Sequence, residues 1–332
     1  MQGEEGGEVR HDATLSAADR ERLGAHYTER SLADTIVARA LQPLMVWPGA
    51  MQCPLCAPSV ALTNLLVIDL ACGDGVFLSA AADILGELLW EACQCEGIEC
   101  TRDEARVCIE QNVLLGVDID PGAIEAARRA LPNVEFHCAD ALFDFEFDTD
   151  GRPTAFVGNP PYLGGQKISS VLGREYLARL LEDFPSSNGG ADLCTYFLLQ
   201  ASHLLDEGKS KGTIGFICTN TISQGRTREA GLRFLLQEHR DTIYCADRNV
   251  PWPGKAKVVC SIVHLANEEL WQAISSSPSG CDDRSSAAKT IRLQRFAPGK
   301  TPRSEPSDPL PVSALGSEAS TRRSAGQLSL FG

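Results

Sequence analysis

Basic residues are scarce in this chain. Over 332 residues, 30 Lys and Arg stand against 44 Asp and Glu, giving a net charge of −14 at pH 7 and a pI near 4.9. A protein that held nucleic acid by bulk electrostatics would be basic, so any such contact must be local or supplied by another domain or subunit. No run approaches the ~20 apolar residues of a membrane span. The acidic start, Met1-Gln2-Gly3-Glu4-Glu5, lacks an apolar signal core, so nothing suggests export and a cytoplasmic location is the default. No internal repeat is found. The 13 cysteines are scattered with no small-domain disulfide framework, and several fall in predicted strands or helices, where a reduced Cys behaves as a small apolar residue.

With 43% hydrophobic residues the chain can bury a sizeable core, about one large domain with appendages. Residues 1–20 read as a polar, acidic leader. Residues 31–46 carry apolar positions at helical spacing (Leu32, Ile36, Val37, Ala40, Leu41, Leu44), with Ser31 as the N-cap. Strand-like segments then run at Leu65–Leu70, Leu114–Asp118, Val134–His137, Thr154–Val157, Thr213–Cys218, Thr242–Ala246 and Val258–His264. Helical stretches at Val76–Glu91, Pro121–Ala130, Ala191–Leu205 and Thr227–Glu238 alternate with them. This alternation predicts a doubly wound, mostly parallel α/β sheet of about seven strands spanning residues 21–270. Residues 271–332 are rich in Ser and Pro without an apolar period and read as a disordered tail.

The stretch Val67-Ile68-Asp69-Leu70-Ala71-Cys72-Gly73-Asp74-Gly75-Val76-Phe77 reads as a strand, a glycine turn and a helix start. Gly73 and Gly75 let backbone approach a ligand closely, and the helix offers free N–H groups. The dinucleotide spacing G-x-G-x-x-G is not met, because Leu78 stands in the third glycine's place. Asp69 followed by Cys72-Gly73-Asp74-Gly75 suits instead a ligand with a zwitterionic amino-acid end, which S-adenosyl-L-methionine has. Asp118, ending the next strand beside Ile119, can take two ribose hydroxyls, while Asp120 and Pro121 start a helix. Asp140, before Ala141 and after the third strand, can accept from an adenine amino group. Each acid alone can serve as a helix cap; three at successive strand ends point to a ligand, because open α/β sheets bind ligands there.

At the end of the apolar run Ala155-Phe156-Val157 comes Gly158-Asn159-Pro160-Pro161-Tyr162. A planar amino nitrogen is a poor nucleophile because its lone pair is delocalised. The Asn159 side-chain oxygen and a neighbouring carbonyl, that of Pro160, can each accept one N–H and free that lone pair. The two prolines stiffen the loop and withhold their own N–H groups, and Tyr162 supplies an aromatic face for stacking.

With these motifs in this order, the chain resembles the adenine-N6 DNA methyltransferases, and more narrowly the restriction–modification group in which methylase and nuclease share one polypeptide. Leu23-Gly24-Ala25-His26-Tyr27-Thr28 is similar to the N-terminal motif that closes over the cofactor's methionine, with Glu29 where Pro is usual. Thr219–Gly225 resembles the family's loop after the fifth strand, and Pro251–Val258 the segment that helps to wall the target-base pocket. The resemblance implies a Rossmann-like class I methyltransferase domain that uses S-adenosyl-L-methionine. Its cofactor-binding residues would be Tyr27, Thr28, Asp69, Cys72, Gly73, Gly75, Asp118, Ile119, Asp140 and Ala141. Asn159, Pro160, Pro161 and Tyr162 would be catalytic, acting without metal on an adenine flipped out of double-stranded DNA. Lys255 and Lys257 would be candidates for phosphate contact. The family places a large target-recognition domain after the last strand, whereas about 65 low-complexity residues follow here. Sequence choice is therefore expected from a separate specificity or nuclease partner.

Two readings compete. Protein glutamine-N5 methyltransferases also use Asn-Pro-Pro-Tyr, since a carboxamide nitrogen poses the same problem, but they carry nothing like residues 23–28. A catalytically idle methylase-like remnant or partner subunit would fit the missing recognition domain and conflict with the intact motifs. Two weaker signals remain. Cys53-x-x-Cys56 with Cys93, Cys95 and Cys100 has partial zinc-ligand spacing, but Cys93-x-Cys95 is not the usual second knuckle and unrelated thiols are expected. Gln327-Leu328-Ser329-Leu330-Phe331 resembles the short peptide with which bacterial replication proteins hold the sliding clamp.

Overall fold

Four short runs, Leu66–Asp69 (β1), Leu114–Asp118 (β2), Glu135–Cys138 (β3) and Thr154–Gly158 (β4), begin the sheet of the computed structural model. It describes residues 27–46, 58–187, 189–251 and 259–275. Gly212–Thr219 (β5), Thr242–Pro251 (β6) and Val259–Ala266 (β7) complete it in the order β3-β2-β1-β4-β5-β7-β6. All neighbours pair in parallel except β7, which runs antiparallel to β5 and β6. This is the doubly wound, mostly parallel seven-stranded α/β sheet that the sequence predicts.

The central strands β1, β4 and β5 are buried along nearly their whole length, which explains their unbroken apolar character. Alternate residues feed opposite faces. Val67, Leu114, Val157 and Ile217 pack beneath the helices Arg30–Val46 and Val76–Glu96, while Ile68, Leu115, Phe156 and Phe216 pack against the helix Leu193–Glu207. The strands at the two margins, β3 and β6, are partly exposed, and β6 accommodates Pro251 at its end, where an edge strand loses no ladder bond.

Strand boundaries agree with the sequence to within two residues, except at β6, which continues past Ala246 through two register shifts to Pro251. The first helix begins at Arg30, so Ser31 lies inside it; the Glu29 carbonyl accepts the Leu32 and Ala33 N–H groups, and the N-cap assignment of Ser31 is corrected. Thr227–Glu238 falls on one continuous helical run, residues 225–237, whose middle, Glu229–Arg233, takes π geometry. Helices the sequence did not assign form at Pro58–Thr63, Arg102–Asn112, Gly165–Val171, Arg174–Asp183 and Glu268–Ser275. The second of these had a legible start. Thr101 and Glu104 form a reciprocal capping box, with the Thr101 N–H donating to Glu104 at 2.8 Å.

No helix among the described residues is long and apolar enough to cross a membrane. The leader, Leu23–His26, Cys53 and Cys56, the loop 252–258 with Lys255 and Lys257, and the tail with Gln327–Phe331 lie outside the described residues.

Candidate active site

The strand order reverses between β1 and β4, and open α/β sheets bind ligands at the carboxyl ends of strands where it does so. Asp69 ends β1 and Asn159 follows β4, so the two sequence-predicted halves meet at this crevice.

On the β1 side, Asp69 is buried at 1% exposure. Its Oδ1 accepts the Ala71 N–H at 3.1 Å, and its buried Oδ2 has no hydrogen-bond partner among the described residues. Gly158 lies against it: a Cβ there would sit 2.6 Å from Asp69 Oδ1, so only glycine fits. Gly73 and Gly75 take the left-handed conformation, φ +56° and +85°, which turns the chain from β1 into the helix Val76–Glu96. Space is open where a Gly73 side chain would be, whereas one on Gly75 would press on Leu131 and Ala127. The Gly73 N–H donates to Asp118 Oδ2 and the Asp120 N–H to Asp118 Oδ1, both at 2.8 Å, so the glycine turn and the end of β2 are joined through one carboxylate. Asp120 caps the helix Pro121–Ala130 through the Gly122 N–H, as expected.

The acids share a field. Burial pushes the Asp69 carboxyl well above the usual carboxylate range, and Asp118 and Asp74 push it further. Burial raises Asp118 too, against the lowering pull of its backbone hydrogen bonds. Buried carboxylates that repel one another favour a cationic ligand and oppose a pyrophosphate. Ile119, beside them, is 44% exposed, an apolar surface at the mouth of the crevice. Cys72 has little to offer a ligand. Its thiol is buried, its N–H donates to Val117 O at 2.9 Å, and its carbonyl accepts the Gly75 N–H at 2.8 Å. At the end of β3, Asp140 is buried next to buried Ala141 and accepts the Leu142 N–H and the Tyr176 hydroxyl, each at 3.0 Å.

On the β4 side, Asn159 Nδ2 donates to Thr28 Oγ1 at 3.1 Å, and the Tyr162 hydroxyl donates to Asn159 Oδ1. The sequence-predicted Thr28 and Asn159, 131 residues apart, are thus in direct contact. Thr28 is buried and Tyr27 is 73% exposed. Tyr162 differs from expectation. Its ring is half-buried against both hydrophobic clusters and its hydroxyl is on the atom meant to accept the amine, so only part of the ring is left for stacking. Pro160 is buried and Pro161 half-buried.

Asp192 was missed by sequence reasoning. It caps the helix Leu193–Glu207 through the Cys194 N–H and also accepts the Leu163 N–H, each at 3.3 Å, while the Leu193 N–H donates to Leu163 O at 2.8 Å. The residue after Tyr162 is thereby fixed to a helix N-terminus. The Asn220 and Asn249 side chains bond each other beside β7, and Ser261 donates to Asn220 Oδ1 at 2.7 Å.

Charge is distributed unevenly around the crevice. Among the described residues, Lys167, Arg174, Arg226 and Arg248 are exposed cations with no acidic partner, and all four follow or end β4, β5 or β6 at their carboxyl side. Gly165 packs on Gly190, and Gly190 on the Arg226 side chain, so these segments adjoin. Of the cysteines with partial zinc-ligand spacing, Cys53 and Cys56 lie outside the described residues. Cys93 is fully buried and Cys95 exposed, two residues apart on one helix, and burial with neighbouring Cys100 pushes the Cys93 thiol up to about 12.

Residues 146–275 match the family model described as MmeI, DNA-methyltransferase domain. The type II methyltransferase M.BstVI of Geobacillus stearothermophilus is 26% identical over 197 residues, covering 54% of this chain and 33% of its own length. The solved structure of the type IIL restriction–modification enzyme MmeI in complex with DNA matches with a TM-score of 0.58 at 22% identity, over 76% of this chain and 38% of that one. A DrdV–DNA complex matches with a TM-score of 0.51 at 16% identity, over 78% and 30%. The chain therefore spans about a third of the length of these relatives, and it resembles the methyltransferase portion of restriction–modification enzymes.

Proposed function

We propose that this protein transfers a methyl group from S-adenosyl-L-methionine to the N6 amine of adenine in double-stranded DNA, within a restriction–modification or related defence system. The observation that carries the reading is the meeting of a buried acid cluster on β1 and β2 with Asn159 after β4, at the reversal of the sheet. The likeness to restriction–modification methyltransferases supports DNA as substrate.

The residues fit the cofactor. The unpartnered Asp69 Oδ2 and the mutually repelling acids suit an ammonium and a sulfonium, and the open space over Gly73 admits a ligand against backbone. In this reading Asp69 takes the ammonium, Asp118 the ribose hydroxyls and Asp140 the adenine amine. Ile119 and Ala141 flank the ring, and Tyr27 and Thr28 close over the methionine end. When bound, the cofactor supplies a methyl group on positive sulfur.

The chain's own part is positioning. The target adenine leaves the duplex at a cost of a few kcal/mol. Asn159 Oδ1 and the Pro160 carbonyl accept its two amine protons, Tyr162 covers part of the ring, and Thr28 fixes the Asn159 amide so that its oxygen faces the amine. Holding the nitrogen in line accounts for most of the catalysis. Lys167, Arg174, Arg226 and Arg248 supply the local positive charge that an acidic protein needs to meet DNA phosphates. Tritiated-methyl transfer to unmethylated duplex DNA, beside a release-factor protein bearing a substrate glutamine, tests the reading. Label on DNA adenine supports it; label only on the protein, or on neither, overturns it.

A further inference from the structure

Asp140 sits at the carboxyl end of β3 with both oxygens engaged. Oδ1 accepts the Leu142 N–H, a local turn bond, whereas Oδ2 accepts the Tyr176 hydroxyl from 36 residues along the chain. Tyr176 belongs to the helix Arg174–Asp183, which is fastened to the loop after Asp140 by contacts that do not involve Asp140. The Tyr176 ring meets Phe143 edge-on with centroids 5.0 Å apart. The Arg179 guanidinium lies 4.2 Å from the Phe143 ring centroid and donates to the Phe143 carbonyl at 3.1 Å. The phenol is therefore delivered to Asp140 by a helix whose place is set elsewhere.

We propose that Tyr176 is a positioning and specificity residue, whose hydroxyl holds Asp140 as a pure hydrogen-bond acceptor so that the cofactor pocket takes a 6-aminopurine and rejects a 6-oxopurine. This rests on the cofactor reading above, in which Asp140 faces the purine. The physical basis is the difference between the two forms of a carboxyl group. Ionised, it only accepts and so matches an amine; protonated, it can also donate and so tolerates a carbonyl. Burial drives Asp140 towards the protonated form, and the Leu142 N–H and the Tyr176 hydroxyl oppose that drift. Removing the phenol leaves one donor where there were two and frees the carboxyl to turn, which relaxes the choice of base.

Calorimetry with S-adenosylhomocysteine and its 6-oxo counterpart, S-inosylhomocysteine, tests this on the wild type, Tyr176→Phe and Asp140→Asn. Tyr176→Phe keeps the ring against Phe143 and removes only the hydroxyl. The wild type should prefer the adenine ligand by about tenfold or more, as for a hydrogen bond to a charged group. Tyr176→Phe should lose most of that preference, chiefly through weaker adenine binding. Asp140→Asn, with the tyrosine intact, should lose it as well, and adding Tyr176→Phe to it should change the ratio little. A Tyr176→Phe protein that keeps the wild-type ratio, or that weakens both ligands equally, overturns the role of Tyr176 alone. A wild type that binds neither ligand overturns the cofactor reading and this inference with it.

Discussion

The two halves of the crevice are built on opposite electrostatic plans. Around β1, β2 and β3 the strand ends carry buried acids, Asp69, Asp118 and Asp140, whose protonation burial favours. Around β4, β5 and β6 the same edge carries Lys167, Arg226 and Arg248, exposed cations without acidic partners among the described residues, and Arg174 opens the helix that reaches Asp140. A net charge of −14 thus conceals a division of labour. One half offers burial and negative charge, which suits a small cationic ligand. The other offers solvent-facing positive charge, which suits a polyanion. Net charge describes neither.

Asn159→Ala should break the comparison most severely. Methyl transfer should fall at least about a hundredfold, the scale on which one preorganised polar contact at a reacting centre acts. Calorimetric affinity for S-adenosylmethionine should stay within a few-fold, and a large loss of affinity would mean that Asn159 belongs to the cofactor half.

Asp118→Ala should do the converse, raising the cofactor Kd roughly 10- to 100-fold. Unchanged affinity would move the ribose contact elsewhere.

Asp241 sharpens the contrast from the opposite edge of the sheet. Burial, with Asp206 next, pushes its carboxyl up to about 7. The folded protein then holds a proton that the unfolded chain releases near pH 4, so stability falls as pH rises from about 4 to about 7. Asp241→Asn should flatten that decline in thermal melts and raise the melting temperature at pH 8 by several degrees. An unchanged pH profile would show that Asp241 is ionised in the fold.

The smallest effect belongs to the cations. Replacing Lys167, Arg174, Arg226 or Arg248 by Gln, one at a time, should lower the slope of log affinity against log salt by roughly 0.9 for each phosphate contact removed. Fluorescence anisotropy with duplex DNA measures this; four unchanged slopes would remove the surface.

The halves also differ in how much of them can be read from sequence. Asp69, Gly73, Gly75 and Asp118 lie at strand ends or in the turn that follows, where short apolar runs mark the strand and a glycine or acid marks its exit. That grammar is local. In the other half the decisive contacts join distant residues, Thr28 with Asn159 and Asp192 with Leu163, and the acid half has one such contact too, Tyr176 with Asp140. The helix carrying Tyr176 has only Leu180 fully buried, so its apolar period is faint, and it is held largely by side chains no pattern specifies. The phenol of Tyr162 on Asn159 was likewise invisible, because a motif names residues and leaves their rotamers open.

The bond between Thr28 and Asn159 has a consequence for the order of synthesis. Thr28 leaves the ribosome long before the residue it must hold. At about 5–20 residues per second, some 7–26 seconds separate the two. β1 likewise has to wait for β4, its neighbour across the crevice. A nascent chain can therefore have completed its acid cluster while it still lacks Asn159. A chain interrupted before Asn159 thus carries the acids of β1, β2 and β3 without the residue that Thr28 is placed to hold.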